Sequence, residues 1–181
     1  MGLNWNEIKS RALLFSKTWA DACNENSQAK PFWIDFFEIF GITDKRVATF
    51  ELHVKKLGGQ RGFMDLFWPG VLLVEHKSRN EDLDQALTQA LGYLHNVPER
   101  ELPELVVVCD FAHFRVHRLS TGETFSFELT HLHKHIKIFG LLAGYKVQDI
   151  RAEDPVNIKA AERMGRLHDA LKGQVRLQGT R

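Results

Sequence analysis

Two carboxylates and one amine stand in a short apolar stretch of this chain, at spacings that suit metal-assisted phosphoryl chemistry. In GFMDLFWPGVLLVEHKS (62–78), Asp65 is followed by Glu75 and then, after one residue, by Lys77. Gly62–Trp68 reads as a strand, Pro69-Gly70 as a turn and Val71–His76 as a second strand, apolar enough to be central. With Pro69-Gly70 midway between them, Asp65 and Glu75 face each other near the open end of a hairpin. Side chains alternate along a strand, which puts Glu75 and Lys77 on one face and turns His76 away. Two close carboxylates repel, and one holds a proton unless a cation lies between them. Mg²⁺ is a hard ion usually held by one or two carboxylates plus water and phosphate oxygens. A lysine beside it can position or deprotonate a water, or steady the charge of a transferring phosphoryl group. The expected chemistry is phosphodiester hydrolysis. An ordinary surface Glu–Lys pair is the alternative, but Val71–Val74 end a buried strand, where charge is rare unless paired or metal-bound.

The residues that follow must help to position that cluster. A helix is expected from about Asp82 to about Asn96, with Asp82 as its cap and Gln85 at capping-box-like spacing. Leu83, Ala86, Leu87, Ala90, Leu91 and Leu94 form its apolar stripe. Gln89 and Tyr93 are four apart and share a face that can overlook the two carboxylates.

Asp65-x9-Glu75-x-Lys77 followed by Gln89-x3-Tyr93 resembles the PD-(D/E)xK nuclease signature with the QxxxY helix of its RecB-like branch. The segments FFEIFG (36–41), 62–78, LDQALTQALGYL (83–94) and LPELVVVCDFAHFRVH (102–117) are similar to the amino-terminal endonuclease domain of MmeI-like (type IIL, type IIG) restriction–modification enzymes. The likeness runs from about residue 30 to about residue 170, with Met64 where the signature has proline. It implies an α/β (α+β) restriction-endonuclease-like core, a central mixed sheet flanked by helices. It implies metal ligation by Asp65, Glu75 and the backbone carbonyl of His76, with Mg²⁺ as cofactor and Mn²⁺ as substitute. Lys77 becomes the catalytic lysine. Gln89 and Tyr93 become accessory residues that orient Lys77 or a DNA phosphate, and Glu38 an acid that reaches the metal through water. It also implies partners: double-stranded DNA, methyltransferase and target-recognition domains of the same polypeptide, and transient self-association on DNA.

Composition bounds these readings. The chain has 181 residues, 44% hydrophobic, with four Trp and thirteen Phe, enough for one packed domain. No apolar run approaches the ~18 residues of a membrane span, and MGLNWNEIKSRALLF is too polar for a signal peptide. Cys23 and Cys109 lack metal-binding spacing and suit free thiols in a reducing cytoplasm. A net charge of +1 is low for a domain that grips DNA unaided, so binding energy is expected from other domains. Lys55, Lys56, Arg61, Lys77 and Arg79 supply local positive charge.

Taken in order, residues 4–22 read as an amphipathic helix capped by Asn4 or Asn6, and 24–29 as a loop. A buried helix is expected from Lys30 to Phe40, with Pro31 in its first turn and Gly41 at its C-terminus. Strands are expected at Val47–Val54, Glu104–Asp110 (parallel to the 71–76 strand), Phe114–Leu119 and Thr124–Leu129. Glu51 lies in the first of these. His131, His133 and His135 alternate as on a strand, without a further zinc ligand nearby. Residues 1–135 are expected as the nuclease domain and 136–181 as the start of a helical connector, its last stripe being Val156, Ile158, Ala161, Met164, Leu167 and Leu171. No methyltransferase motif is present, so S-adenosylmethionine would belong to a methyltransferase domain outside these residues. The function expected is Mg²⁺-dependent DNA cleavage, and the alternative is a catalytically inactive module of the same fold that docks DNA or protein. A nuclease acting on DNA ends is a third, weaker reading.

Overall fold

Asparagine side chains open both amino-terminal helices. The structure, a computed structural model, describes residues 3–43, 48–55 and 61–144, and of 49, 51–55 and 61–63 the backbone alone. Asn4 accepts a hydrogen bond from the Glu7 N–H (2.9 Å) and starts α1, Trp5–Thr18. Asn24 caps α2, Glu25–Glu38, and Gln28 reaches back to accept from the N–H groups of Cys23 (3.0 Å) and Asn24 (2.8 Å). The second helix therefore begins before Lys30, and 24–29 is not a loop. Pro31 lies inside the helix on an exposed face, where its missing N–H removes a single helical bond. Gly41, at φ +77°, closes α2, with the Ile42 N–H donating to Phe37 O. The first helix ends at Thr18, short of the expected 22, although Ala22 stays buried.

Six strands form one mixed sheet in sequence order: β1 (Thr49–Lys55), β2 (Arg61–Trp68), β3 (Leu72–His76), β4 (Leu105–Cys109), β5 (His113–Arg118) and β6 (Thr124–Glu128). All neighbours are antiparallel except β3 and β4, which run parallel through a crossover containing α3, Leu83–Tyr93. Both β3 and β4 are buried along their whole length, as strands covered on two faces must be. α3 packs on one face of the sheet, with Ala86, Ala90 and Tyr93 against Leu73, Val106 and Val108. The other face carries an aromatic layer. Phe32, Trp33 and Phe36 of α2 meet His76, Phe111 and Phe114 there, and Phe139 closes on Phe36. Trp33, Phe32, Phe36, Phe111 and Phe114 are fully buried.

The residues after β6 depart from expectation. Leu129–His131 is a 3-10 turn and Leu132–His135 is a short helix, α4. His131, His133 and His135 therefore sit on helical backbone, not on a strand. His135 stacks on Phe127 (centroids 4.6 Å apart, planes 10° apart). Among the described residues no three His, Cys, Asp or Glu converge as metal ligands. Ile136–Ala143 continues as a 3-10 segment whose Ile136, Ile138, Phe139 and Leu142 are buried. It belongs to the compact unit Met1–Ala143. The expected last helix and Lys56 lie outside the described residues, as do the side chains of Glu51, Lys55 and Arg61. No described helix is long and apolar enough to cross a membrane.

Candidate active site

The hairpin that carries the charged residues closes as a type II turn. Pro69 supplies the fixed φ, Gly70 the positive φ (+75°), and the Val71 N–H donates to Trp68 O at 3.0 Å. That turn sets the β2–β3 register Trp68↔Leu72, Phe67↔Leu73, Leu66↔Val74. One step further, Asp65 stands opposite Glu75, as the spacing predicts. Beyond Leu66↔Val74 the Asp65 carboxylate takes up the neighbouring main chain, accepting the N–H of His76 at 2.6 Å.

Glu75 ends a strand of apolar residues and is 2% exposed. Its Oε1 accepts from the Lys77 ammonium (2.7 Å) and from the Gln89 amide (2.8 Å). Gln89 also donates to Tyr93 Oη at 2.6 Å. Glu75 Oε2 is buried without a hydrogen-bond partner among the described residues. A buried carboxylate oxygen is costly to leave unpaired, and a cation or a proton is what would satisfy this one. Burial, and then the neighbouring Asp65 charge, raise the Glu75 carboxyl from 4.5 to about 7, while the Lys77 contact pulls the other way. Burial alone would lower the Lys77 ammonium, but its hydrogen bond to Glu75 and the charges of Glu75, Asp65 and Glu25 outweigh it and raise the pKa. Lys77 therefore stays protonated at neutral pH. Burial also raises the Tyr93 phenol, which acts in its neutral form.

Asp65, Glu75, Lys77, Gln89 and Tyr93 are thus brought together. His76 turns its imidazole to the opposite face, where Trp33 Nε1 donates to Nδ1 at 3.0 Å. Burial lowers its pKa to about 3, so the ring is neutral.

Glu38 is not brought to the cluster. It is exposed at the carboxyl end of α2, where its carbonyl accepts from Arg11 and it lines a groove with Arg11, Trp19 and Asp35. The acid that α2 does deliver is Glu25. At 1.5 Å per residue it lies about 20 Å from Glu38 along the helix axis. Glu25 accepts from Ser78 Oγ (3.4 Å) and acts electrostatically on both Glu75 and Lys77. Arg79 ties the same loop to the α1–α2 connection by donating to Ala20 O at 2.7 Å. Glu25 is hidden in the sequence because the polar run 24–29 reads as a loop. The signal was Asn24 followed by Gln28, a cap with its reciprocal partner.

The donor set suits a hard divalent cation. Asp65 and Glu75 lie beside the Lys77 ammonium, and Glu25 acts on it only electrostatically. Among the described residues one Glu75 oxygen is buried without a partner, and side chains alone bring no third ligand. Two close protein carboxylates with further oxygens from main chain, water and phosphate is how Mg²⁺ is commonly held. Soft ligands are absent from the cluster: Cys109 is buried, with its thiol pushed up by burial, and Cys23 is exposed elsewhere.

The family model for the "MmeI, N-terminal domain" matches residues 10–174. No curated protein sequence matches the chain. A solved chain from "cryoEM structure DrdV-DNA complex" is similar in fold, with a TM-score of 0.51, 15% sequence identity and 76% of this chain covered. This chain covers 14% of that one. The mixed sheet with helices on both faces is a restriction-endonuclease-like core.

Proposed function

The chain belongs to the MmeI N-terminal domain family, and from that premise we propose that it is the Mg²⁺-dependent DNA endonuclease domain of a combined restriction–modification enzyme. Its reaction is hydrolysis of phosphodiester bonds in double-stranded DNA. The observation that carries this reading is the buried Glu75 carboxylate, shared on one oxygen by Lys77 and Gln89, without a partner among the described residues on the other, and beside Asp65.

Asp65 and Glu75 would hold the ion, Mn²⁺ substituting for Mg²⁺. The His76 N–H is directed at Asp65, and in a strand the N–H and C=O of one residue face the same neighbour, so the His76 carbonyl adds a third oxygen. A bound Mg²⁺ supplies charge neutralisation at the scissile phosphate and acidifies a water. Lys77, kept cationic by its acidic neighbours, serves as an orienting donor to water or phosphate oxygen, not as a base. Gln89 is braced by Tyr93, holds Glu75 Oε1 in place and thereby aims Lys77. Glu25 adds a carboxylate near Lys77 from α2, in the role expected of Glu38. Attack opposite the 3′-oxygen leaves a 5′-phosphate. Recognition of the DNA sequence, methylation with S-adenosylmethionine and most of the binding energy are assigned to other domains of the polypeptide, in the cytoplasm. Cutting both strands requires more than one copy on the DNA, since one site cuts one strand.

Calorimetric titration of Mn²⁺ and Mg²⁺ into the chain and into Asp65→Ala tests the metal site. Saturable binding lost in Asp65→Ala is expected. Silence in the parent, with and without a short duplex, would sink the reading in favour of a docking module.

A further inference from the structure

His76 carries the one side chain at the end of β3 that the proposed chemistry leaves unused. It is 0% exposed, and its ring lies against Phe111 (centroids 4.2 Å) and Phe32 (5.4 Å). Trp33 Nε1 donates to His76 Nδ1 at 3.0 Å. An indole nitrogen only donates, so Nδ1 is the acceptor and the ring proton sits on Nε2. That Nε2 is buried with no hydrogen-bond partner among the described residues. A leucine or phenylalanine would fill the same apolar space without burying an unsatisfied donor. Packing alone therefore does not account for a histidine here. What the imidazole provides is one directional bond, from a fully buried tryptophan on α2 to a residue whose main chain lies in the site. The His76 N–H donates to Asp65 at 2.6 Å, and its two flanking residues are Glu75 and Lys77.

We infer that Trp33 and His76 form a positioning pair for the cation site: the indole–imidazole bond fixes the His76 main chain, and with it the spacing of Asp65, the His76 carbonyl and Glu75. The pair acts from the opposite face of the sheet and touches no reacting atom. The inference rests on the endonuclease reading for what is positioned, but the bond and the Asp65 contact stand without it. Partners outside the ligand shell typically change metal affinity 10–100-fold when removed, and sites held about an ångström too loosely lose their function.

The test compares the parent with Trp33→Phe, His76→Leu and His76→Asn. Mn²⁺ alone is the probe, titrated calorimetrically below each variant's unfolding temperature. The positioning role predicts Mn²⁺ binding weakened about tenfold or more in Trp33→Phe and His76→Leu. Asn offers an acceptor near the place of Nδ1, so His76→Asn restores most of the affinity, and only while Trp33 is present. A merely structural role would lower the unfolding temperature and leave the affinity of the folded protein at the parental value; that result overturns the inference. Trp33→Phe keeps an aromatic ring in the core and carries the test if His76→Leu does not fold. If the parent binds no Mn²⁺ either alone or with a short duplex present, the endonuclease reading falls, and the pair is judged on the His76 amide. Faster hydrogen exchange of that amide in Trp33→Phe upholds the pairing, and unchanged exchange refutes it.

Discussion

Binding of a divalent cation at Glu75 must compete with a proton. The carboxyl is raised from 4.5 to about 7 by burial and by Asp65, so near pH 6 roughly nine-tenths of the metal-free protein carries that proton, and near pH 8 roughly one-tenth does. Ligands must be deprotonated to bind metal. Each Mn²⁺ bound should therefore release about 0.9 proton near pH 6 and about 0.1 near pH 8, and apparent affinity should rise about tenfold between the two. Calorimetry in buffers of different ionisation enthalpy reads the proton count directly. The same group sets a stability trend in metal-free protein. A carboxyl raised on folding stabilises the fold fully below about pH 4.5, and that contribution is lost as pH climbs through about 7. The whole difference corresponds to about 3 kcal/mol. Glu75→Gln should remove both effects, flattening metal-free stability between pH 5 and pH 8. Proton release that is absent, or affinity that does not vary over this range, would refute the coupling of burial, Asp65 and metal at this carboxylate.

Glu25→Gln should weaken Mn²⁺ binding several-fold by removing a nearby negative charge, whereas Glu38→Gln should leave it at the parental value; parallel titrations decide which acid of α2 belongs to the site. Gln89→Leu keeps the apolar contacts of α3 but removes the donors to Glu75 and Tyr93. Cleavage by the full protein should fall about tenfold or more with a smaller effect on Mn²⁺ affinity, and parental cleavage would dismiss the accessory role. Asp110 is 2% exposed and accepts from the N–H groups of Asn80, Ala112 and His113. Asp110→Ala strands those donors and should cost about 2–3 kcal/mol in denaturant unfolding.

Much of the site was legible because strand geometry leaves few choices. Pro69-Gly70 makes a tight turn, the three residues from Pro69 to Val71 separate the paired Trp68 and Leu72, and that register puts Asp65 opposite Glu75. The period of two then separates Lys77 from His76, and the helical spacing of Gln89 and Tyr93 suffices to pair them with each other, Gln89 on Glu75. What was not legible turned on side chains that replace an expected pattern. The first two turns of α2 are polar, and Pro31 is more at home in a first turn, so the helix read as beginning near it. Its true start is held by Asn24 and Gln28, which is why Glu25 went unseen and Glu38 took its place. Alternating histidines after β6 read as a strand, yet Leu129, Leu132 and Ile136 recur at helical spacing and are the residues that bury. The bond from Trp33 to His76 joins residues 43 positions apart, and no local pattern announces it.

The most direct measurement is cleavage of a plasmid by the full-length protein and by Lys77→Ala, each with Mg²⁺ and with chelator. The account predicts Mg²⁺-dependent nicking and linearisation by the parent, and a loss of at least about 100-fold in Lys77→Ala with Mn²⁺ binding retained, the range expected when one electrostatic stabiliser is removed. Cleavage by Lys77→Ala at the parental rate, or by the parent in chelator, would contradict it.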